Sequence, residues 1–478
     1  TQIEIYEGLD ARSIHCWPSV EHDVGAIVGA FSRLLPSGFY YKTFMWPAKF
    51  WNIYEHAIRS SAGLGKAPEI EDADTYEHRY DHFDLVIVGS GPAGIMAATV
   101  AASSNAKVLL VEQDFEFGAT LLSDSAVIDD SSSKDWARKQ LSNLKGSNNV
   151  TLLSRTTLTG YYDGNFLTAL QRVSDHLPMS DRRKGMARER LWKIRAKQVI
   201  LATGSIERPL VFANNDRPGV MLASGVRTYL NRFGVKAGQT AVLFTNNDSA
   251  YTTAIELQQK GVALAAIVDV RQAPPANLCE QAAAHNIKIF TGSVVHNVLG
   301  KKRVSAVEIA KLNDQNTLAK DNIKINCDLL IQSGGWTPTV HLFSQAGGKL
   351  QYDDQQLCLR PDPGTISQKL QSVGACNGNF SLDDALNEGI QAAYQALSDS
   401  GFKYDHFNCP SAQSSPPCIP QALWRVPSRT RTHKRFVDLH NDVDCSDVEL
   451  ANREGYRSVE HLKRYTATGM GPDQGRTS

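Results

Sequence analysis

Three glycines in the stretch VIVGSGPAGIMAA have the spacing of a phosphate-binding turn between a strand and a helix. Gly89 would permit the tight turn, Gly91 would let the backbone approach a pyrophosphate, and Gly94 would let the helix lie close to the strand. The start of that helix, at Pro92 and Ala93, would direct free N–H groups and the positive end of its dipole at the phosphates. The stretch therefore predicts a dinucleotide site.

An acidic residue follows at the place where the adenosine ribose would bind. Glu112 ends the next apolar strand, and a carboxylate there can accept hydrogen bonds from the ribose hydroxyls. Gln113 and Asp114 come next, with no basic residue close by in the sequence to receive a 2′-phosphate. NAD or FAD is therefore favoured over NADP. The motif itself does not distinguish NAD from FAD, because both contain the same ADP half.

Two later stretches could also contribute to this site. ILATGS ends a strand, so Thr203 and Gly204 are candidates for cofactor contacts, unless the stretch is a plain strand-to-loop turn. GACNGNFSLDDALNEGIQAA predicts a returning turn before an amphipathic helix, but it lacks the Gly-Asp pair that flavoproteins of this type place at the ribityl chain. This absence weakens the case for FAD.

A second strand, turn and helix contains the turn TNNDSAY. Its three glycine positions hold Thr245, Asn247 and Ala250, whose side chains would crowd a pyrophosphate. We therefore expect a Rossmann-like unit without its dinucleotide; the alternative is an altered site in which Asn246 and Asn247 donate hydrogen bonds. A chain with one occupied site is not a free-standing NAD(P)H-to-flavin reductase, since that reaction needs two.

Around these motifs, strands alternate with helices, which predicts an α/β fold with mostly parallel sheets. The fold class expected is a two-dinucleotide-binding-domain, flavoprotein-type fold. The predicted segments are 1–80, an aromatic-rich extension that packs on the next domain or contacts a subunit; 81–238, the first dinucleotide-binding domain; 239–326, a degenerate Rossmann-like domain; 327–400, a return to the first domain; and 401–478, a linker and small helical module.

Composition excludes several classes of protein. The 478 residues carry 50 basic and 50 acidic side chains, which gives no reason to expect a nucleic acid or an anionic membrane as partner. No apolar run is long enough to span a membrane, and TQIEIYEGLD is not a secretion signal, so a cytoplasmic location is expected. The eight scattered cysteines fit neither a zinc knuckle nor a dithiol centre. No catalytic set or metal cluster is predicted.

Several stretches resemble one family, the alpha subunit of heterotetrameric sarcosine oxidase. They extend from near the N-terminus to Ser478 and are GLDARSIHCWPS, FSRLLPSGFYYKTFMWP, HFDLVIVGSGPAGIMAA, LATGSIERPLVFANNDRPGVM, FTNNDSAY, GACNGNFSL and REGYRSVEHLKRYTATGMGPDQGRTS. The resemblance implies NAD at Gly89, Gly91, Gly94 and Glu112. It also implies FMN at the interface with a beta subunit, FAD and amine oxidation in that beta subunit, and gamma and delta subunits as further partners.

The tail resembles the small iron–sulfur module of dehydrogenase relatives, but it lacks the cysteine thiolates that bind the cluster there. Asp438, His440, Asp473 and Ser478 take the four cysteine positions, and Cys445 is out of register, so no iron–sulfur cluster is expected. Relatives usually begin with a ferredoxin-like domain and continue into a folate-binding domain, so the sequence resembles a fragment or split form. The alternatives are an alpha subunit of a proline, hydroxyproline or opine dehydrogenase, and a non-catalytic scaffold that holds a nucleotide.

Overall fold

The computed structural model describes residues 4–11, 13, 16–27, 46–61, 69–72, 74–183, 185–313, 315–412, 419–430 and 433–477. The α-helices are α1 (Trp51–Ser61), α2 (Pro92–Ala102), α3 (Ser133–Lys145), α4 (Ala223–Arg227), α5 (Ala250–Gln259), α6 (Ala276–Ala284), α7 (His341–Gln345), α8 (Leu382–Asp399), α9 (Cys445–Arg453) and α10 (Val459–Thr466). A π-helical turn, Thr228–Arg232, follows α4 directly. Short 3₁₀ turns are Val24–Ala26, Ala48–Phe50, Ala119–Leu122, Met179–Asp181, Pro363–Thr365 and Gly374–Asn377.

The strands are β1 (Thr75–Val88), β2 (Val108–Val111), β3 (Val127–Ile128), β4 (Ser131–Ser132), β5 (Val150–Leu153), β6 (Thr156–Tyr162), β7 (Phe166–Arg172), β8 (Ala187–Leu201), β9 (Ser205–Glu207), β10 (Val220–Leu222), β11 (Thr240–Thr245), β12 (Ala263–Asp269), β13 (Ile289–Phe290), β14 (Ser293–Gly300), β15 (Val304–Lys311), β16 (Ile323–Asn326), β17 (Leu329–Ser333), β18 (Trp336–Pro338), β19 (Leu350–Asp353), β20 (Cys358–Pro361), β21 (Leu370–Ser372), β22 (Phe436–Asp438) and β23 (Val443–Asp444).

The first sheet has a parallel part in the strand order β5-β2-β1-β8-β21. Residues 85–88 of β1 are fully apolar and lie between β2 and the end of β8, which explains their near-complete burial. The long β8 also pairs in antiparallel fashion with β7, and β7 pairs with β6. The fifth parallel strand, β21, comes from far along the chain because the second unit is inserted before it.

The second sheet is entirely parallel, in the order β10-β17-β11-β12-β13. Two of its strands, β10 and β17, lie outside the segment 239–326 that the sequence predicts for this unit. The boundaries 81–238 and 327–400 are therefore wrong for these two strands, because each makes its ladder hydrogen bonds with the second sheet. An antiparallel sheet of β14, β15 and β16 accompanies this unit.

Two short strands carry the chain between the two units. The chain leaves the first unit after Gly204 along β9 and returns along β18, and these strands pair with each other in antiparallel fashion. Helix α8 then packs on α2 at very close range: a Cβ at Gly389 would lie 2.9 Å from the Ala93 carbonyl carbon. The late part of the chain is thereby fixed against the helix that follows the glycine turn.

The C-terminal module contains β22, β23, α9 and α10. Asp444 caps α9 through a capping box with Asp447, which satisfies donors that a helix start otherwise leaves free. Both helices lie within the segment 401–478, for which the sequence predicts a small helical module.

The N-terminal extension is described only in part, and most of the aromatic run GFYYKTFMWP lies outside the described residues. Where it is described, Trp46 is 83% exposed and Ile53 is 66% exposed. These two side chains do not pack on the following domain, which was one of the two expectations for this segment.

Candidate dinucleotide site

The three glycines of the first turn differ in how much space surrounds them. Gly89 has φ +99°, and a Cβ there would lie 2.9 Å from the carbonyl carbon of Ala202. A Cβ at Gly94 would lie 3.0 Å from the carbonyl carbon of Gly89 and closer still to its oxygen. At Gly91 the nearest atom to a Cβ is the Cβ of Ala119, at 3.9 Å. Two glycines thus allow close packing, and Gly91 alone faces open space, as a backbone that approaches a ligand requires.

Helix α2 begins where the turn ends. Gly91 is its N-cap residue in extended conformation, Pro92 is at its first position, and no side chain of the described chain caps it. The N–H groups of Ala93 and Gly94 therefore lie at a helix start whose dipole favours an anion. These residues form the phosphate side of the candidate site.

Glu112 lies at the carboxyl end of β2 and is 5% exposed. Its Oε2 accepts hydrogen bonds from the Ser90 N–H at 3.0 Å and the Ser90 hydroxyl at 2.6 Å, and its Oε1 accepts one from the Asp114 N–H at 3.0 Å. Ser90 in turn accepts from the Gly118 N–H at 2.9 Å. Because a carboxylate has about four acceptor positions, Glu112 is oriented by the protein and retains capacity for ribose hydroxyls.

The loop after Glu112 is surrounded by arginines that the sequence does not place near it. Arg232 contacts Asp114 at 2.6 Å and Glu116 at 3.5 Å, and Arg172 donates to the carbonyl of the exposed Gln113 at 3.0 Å. Arg155 donates to Glu4. No basic residue lies close to this loop in the sequence, but arginines from distant segments lie close to it in the fold. In the fold, each of these arginines already binds a carboxylate or a carbonyl.

Thr203 and Gly204 lie beside the turn but serve mainly to hold the connection between the units. The Ala202 N–H donates to Val88, which places this strand end next to Gly89. The Thr203 hydroxyl donates to the Thr339 carbonyl at 2.8 Å, and the Thr339 N–H donates to the Gly204 carbonyl at 2.9 Å. Their position is near the site, while a direct cofactor contact stays a prediction.

The returning turn contributes residues that the sequence did not single out. Gly374 has φ +66°, and a Cβ there would lie 3.3 Å from the Cβ of Ala93, so this turn lies against the start of α2. Glu388 of α8 accepts the Gly374 N–H at 2.5 Å. Burial raises the pKa of Glu388, although hydrogen bonds from Gly374, Asn377 and Asn379 act in the opposite direction. Ser90 is the other residue that was missed; its place between two glycines was the available signal.

The second turn is filled by its own side chains. Thr245, Asn246 and Asn247 are fully buried. Asn247 donates to Ser333, and Asn246 donates to the Gln421 carbonyl at 3.0 Å. The segment around Gln421 therefore covers the turn.

The start of α5 is also occupied. The Ser249 N–H donates to the side chain of Asn247 at 3.1 Å, and Asp248 pairs with Arg271. A buried carboxylate thus lies close to the start of this helix, where its negative charge would repel a pyrophosphate. The altered site, in which Asn246 and Asn247 donate to a ligand, would require both amides to leave these partners.

Among the described residues, no group of three His, Cys, Asp or Glu side chains could hold a metal ion. In the C-terminal module, Asp438 accepts the N–H groups of His440 at 2.8 Å and Gly469 at 2.7 Å. Asp473 accepts those of Gly475 and Thr477. Each of these carboxylates thus binds backbone donors of the module, Asp438 from its own loop and from the distant Gly469, and Asp473 from its own loop. Ser478 lies outside the described residues.

One open phosphate-binding turn in the first unit and one filled turn in an inserted second unit define a two-dinucleotide-binding-domain protein of the flavoprotein type. The chain belongs to the pyridine nucleotide-disulphide oxidoreductase family, whose model matches residues 83–358. Residues 432–478 match the sarcosine oxidase A3 domain. The fold class predicted from the sequence is confirmed.

The relatives extend the comparison to the whole chain. The alpha subunit of sarcosine oxidase from Rhizobium meliloti is 41% identical over all of this chain, which spans 47% of that relative. The A subunit of opine oxidase from Agrobacterium tumefaciens is 24% identical over 83% of this chain and 84% of its own length. The resemblance to sarcosine oxidase alpha subunits is confirmed, and the chain spans about half the length of those relatives.

The crystal structure of L-proline dehydrogenase from P. horikoshii has the same fold. It is 20% identical with a TM-score of 0.60, covering 86% of this chain and 74% of its own. No helix in the described part of the chain is long and apolar enough to cross a membrane.

Proposed function

We propose that this chain is a cofactor-binding, electron-transfer alpha subunit of a multi-subunit oxidase for sarcosine or related N-methyl amino acids. The observation that carries the proposal is the 41% identity, along the entire chain, to the alpha subunit of a sarcosine oxidase. The site geometry agrees with it, because one turn can take a dinucleotide and the second is filled. A cytoplasmic location stays part of this proposal.

The dinucleotide that we assign to the first turn is NAD. Its pyrophosphate would lie against Gly91 and the start of α2, and its adenosine ribose would donate hydrogen bonds to Glu112. Arg232 and Arg155 near the loop are each paired with a carboxylate, which favours NAD over NADP. FAD is disfavoured since the returning turn has no Gly-Asp pair.

The amine chemistry is assigned to another subunit. No nucleophile with a base is present at the first turn, whose described side chains serve to bind and orient. In this proposal a beta subunit would carry FAD and oxidise sarcosine by two electrons to an imine, which water hydrolyses to glycine and formaldehyde. FMN held at the interface with this chain would supply electron transfer to O2, which takes up the two electrons and two protons to give H2O2. Gamma and delta subunits complete the assembly, and the tail module carries no iron–sulfur cluster.

Co-expression of the chain with candidate beta subunits tests the proposal. The purified complex should release NAD, FMN and FAD on denaturation and should consume oxygen with sarcosine. Gly91→Ala in this chain should remove NAD from the extract, while the FAD of the beta subunit stays. If this chain, once separated from the beta subunit, released FAD and no NAD on denaturation, the cofactor assignment would be overturned.

A second candidate is a subunit of an opine oxidase, since that relative has a length close to the length of this chain. The same oxygen-uptake assay, run with sarcosine, dimethylglycine, proline and opines, separates the two. Turnover of an opine or proline without turnover of sarcosine would refute the first candidate. If the amine reduces the purified complex without any electrons passing through a flavin in contact with this chain, a scaffold role would be favoured.

A further inference from the structure

We propose that Arg232 is a positioning residue for the first site: it extends from the second unit to the loop Glu112–Gly118 and fixes that loop for the adenosine ribose. This proposal rests on the proposed function in one respect, namely that a dinucleotide binds at the first turn. In this proposal the second unit, whose own turn is filled, contributes to dinucleotide binding in the first unit.

The guanidinium of Arg232 is held by two aromatic rings and two carboxylates. It ends the π-helical turn after α4, and its side chain is only 9% exposed. The guanidinium carbon lies 4.6 Å from the ring centre of Phe115 and 5.2 Å from that of Phe233. Its nitrogens contact Asp114 at 2.6 Å and Glu116 at 3.5 Å. An arginine with planar and edge contacts of this kind has little freedom to move.

Asp114 connects Arg232 to Glu112, the carboxylate proposed to bind the ribose. The Asp114 N–H donates to Glu112 Oε1 at 3.0 Å, and the Asp114 side chain receives the Arg232 guanidinium. The two ends of the loop are tied to Ser90, through Glu112 and through the Gly118 N–H. Arg232 therefore fixes the middle of a loop whose ends are held by the first unit.

The charges of the loop give a second reason for this arrangement. Glu112, Asp114 and Glu116 put three carboxylates within five residues. Like charges at this separation repel each other and would spread the loop. Arg232 compensates Asp114 and Glu116, so Glu112 can keep the orientation in which it meets the ribose hydroxyls.

The chain offers a matched control five residues earlier. Arg227 of α4 contacts Asp124 at 3.0 Å, so it also connects the second unit to the first, but its partner lies outside the loop Glu112–Gly118. Asp114→Asn and Asp124→Asn have the same shape change and each removes one carboxylate charge from one arginine. Only the first of them acts on the ribose loop.

The test is calorimetric titration of the oxidase complex with NAD and with ADP-ribose. We expect Asp114→Asn to weaken both ligands by roughly 3- to 30-fold, the range that coupled networks typically show, and Asp124→Asn to leave both unchanged. Arg232→Ala should weaken them similarly, Arg232→Lys should recover part of the loss, and Asp114→Asn should add little to Arg232→Ala.

Failure of the positioning role and failure of the proposed dinucleotide site would give different results. Equal weakening by Asp114→Asn and Asp124→Asn, or additive effects of Asp114→Asn and Arg232→Ala, would show that only general docking of the units matters and would overturn the positioning role. A wild-type complex that binds neither NAD nor ADP-ribose would instead refute the proposed dinucleotide at the first turn. Thermal unfolding of each variant identifies any loss of affinity that comes from misfolding.

Discussion

Two single substitutions in the first turn should separate ligand binding from folding. Gly91→Ala places a methyl group where only Ala119 Cβ lies nearby, at 3.9 Å, and where φ is −68°, a value alanine adopts readily. Gly94→Ala places the same methyl 3.0 Å from the Gly89 carbonyl carbon and closer to its oxygen. The two variants therefore add the same atoms, one to open space and the other to a packed contact between a strand and a helix.

The expected magnitudes follow from these surroundings. For Gly94→Ala, overpacking costs about 1–3 kcal/mol, because backbone atoms must move apart. For Gly91→Ala, alanine loosens the helix cap but also reduces the entropy of the unfolded chain, and these two effects should cancel to within about 1 kcal/mol. Its methyl group would displace the pyrophosphate from backbone N–H groups, at about 1.5–3 kcal/mol for each charged hydrogen bond lost.

Thermal unfolding and NAD titration together measure the two effects. A cost of 1 kcal/mol lowers the midpoint by about 2–4 °C for a domain of this size. Gly94→Ala should therefore melt several degrees early, while Gly91→Ala should melt with the wild type and lose at least about tenfold in affinity for NAD. The reasoning would be refuted if Gly91→Ala kept wild-type affinity, or if both variants were destabilised equally.

Three further predictions concern other parts of the chain. Asn246→Ala in the second turn should cost about 1–3 kcal/mol by removing a fully buried amide that donates to the Gln421 carbonyl at 3.0 Å; thermal unfolding measures this, and NAD affinity should not change. His296 is buried near Arg429 and His433, and burial is the main cause that lowers its pKa, with the hydrogen bond that its ring donates to Asn322 Oδ1 and the charge of Glu308 opposing. Since the unfolded chain takes up the proton first, stability should fall as pH drops below about 6.5; His296→Gln should show a shallower decline in melting temperature between pH 7.5 and 5.5, and an unaltered decline would contradict the assignment. Asp438→Asn turns an acceptor toward the Gly469 N–H into a donor and should cost about 1–3 kcal/mol, measured as faster proteolysis within residues 432–478; proteolysis at the wild-type rate would show that the carboxylate is dispensable.

The features that could be predicted from the sequence are those encoded by neighbouring residues. The glycine turn, the acidic end of β2 and the alternation of strands and helices each depend on side chains a few positions apart, and all of them are present in the structure. The helices of the tail were also predictable, since Asp444 and the residues it caps lie within one turn.

The structure alone shows the relations between distant segments. Strands β10 and β17 belong to the second sheet, and the segment around Gln421 closes the second turn. Arg232 contacts a loop that precedes it by more than a hundred positions. A local pattern fixes which backbone conformation is favourable, but it carries no information about which remote side chain will share that space. The sequence by itself therefore determined that the first turn has the pattern of a dinucleotide site. The tertiary structure decided how the loop after Glu112 is held and why the second turn is filled, because packing brings together residues that the chain order separates.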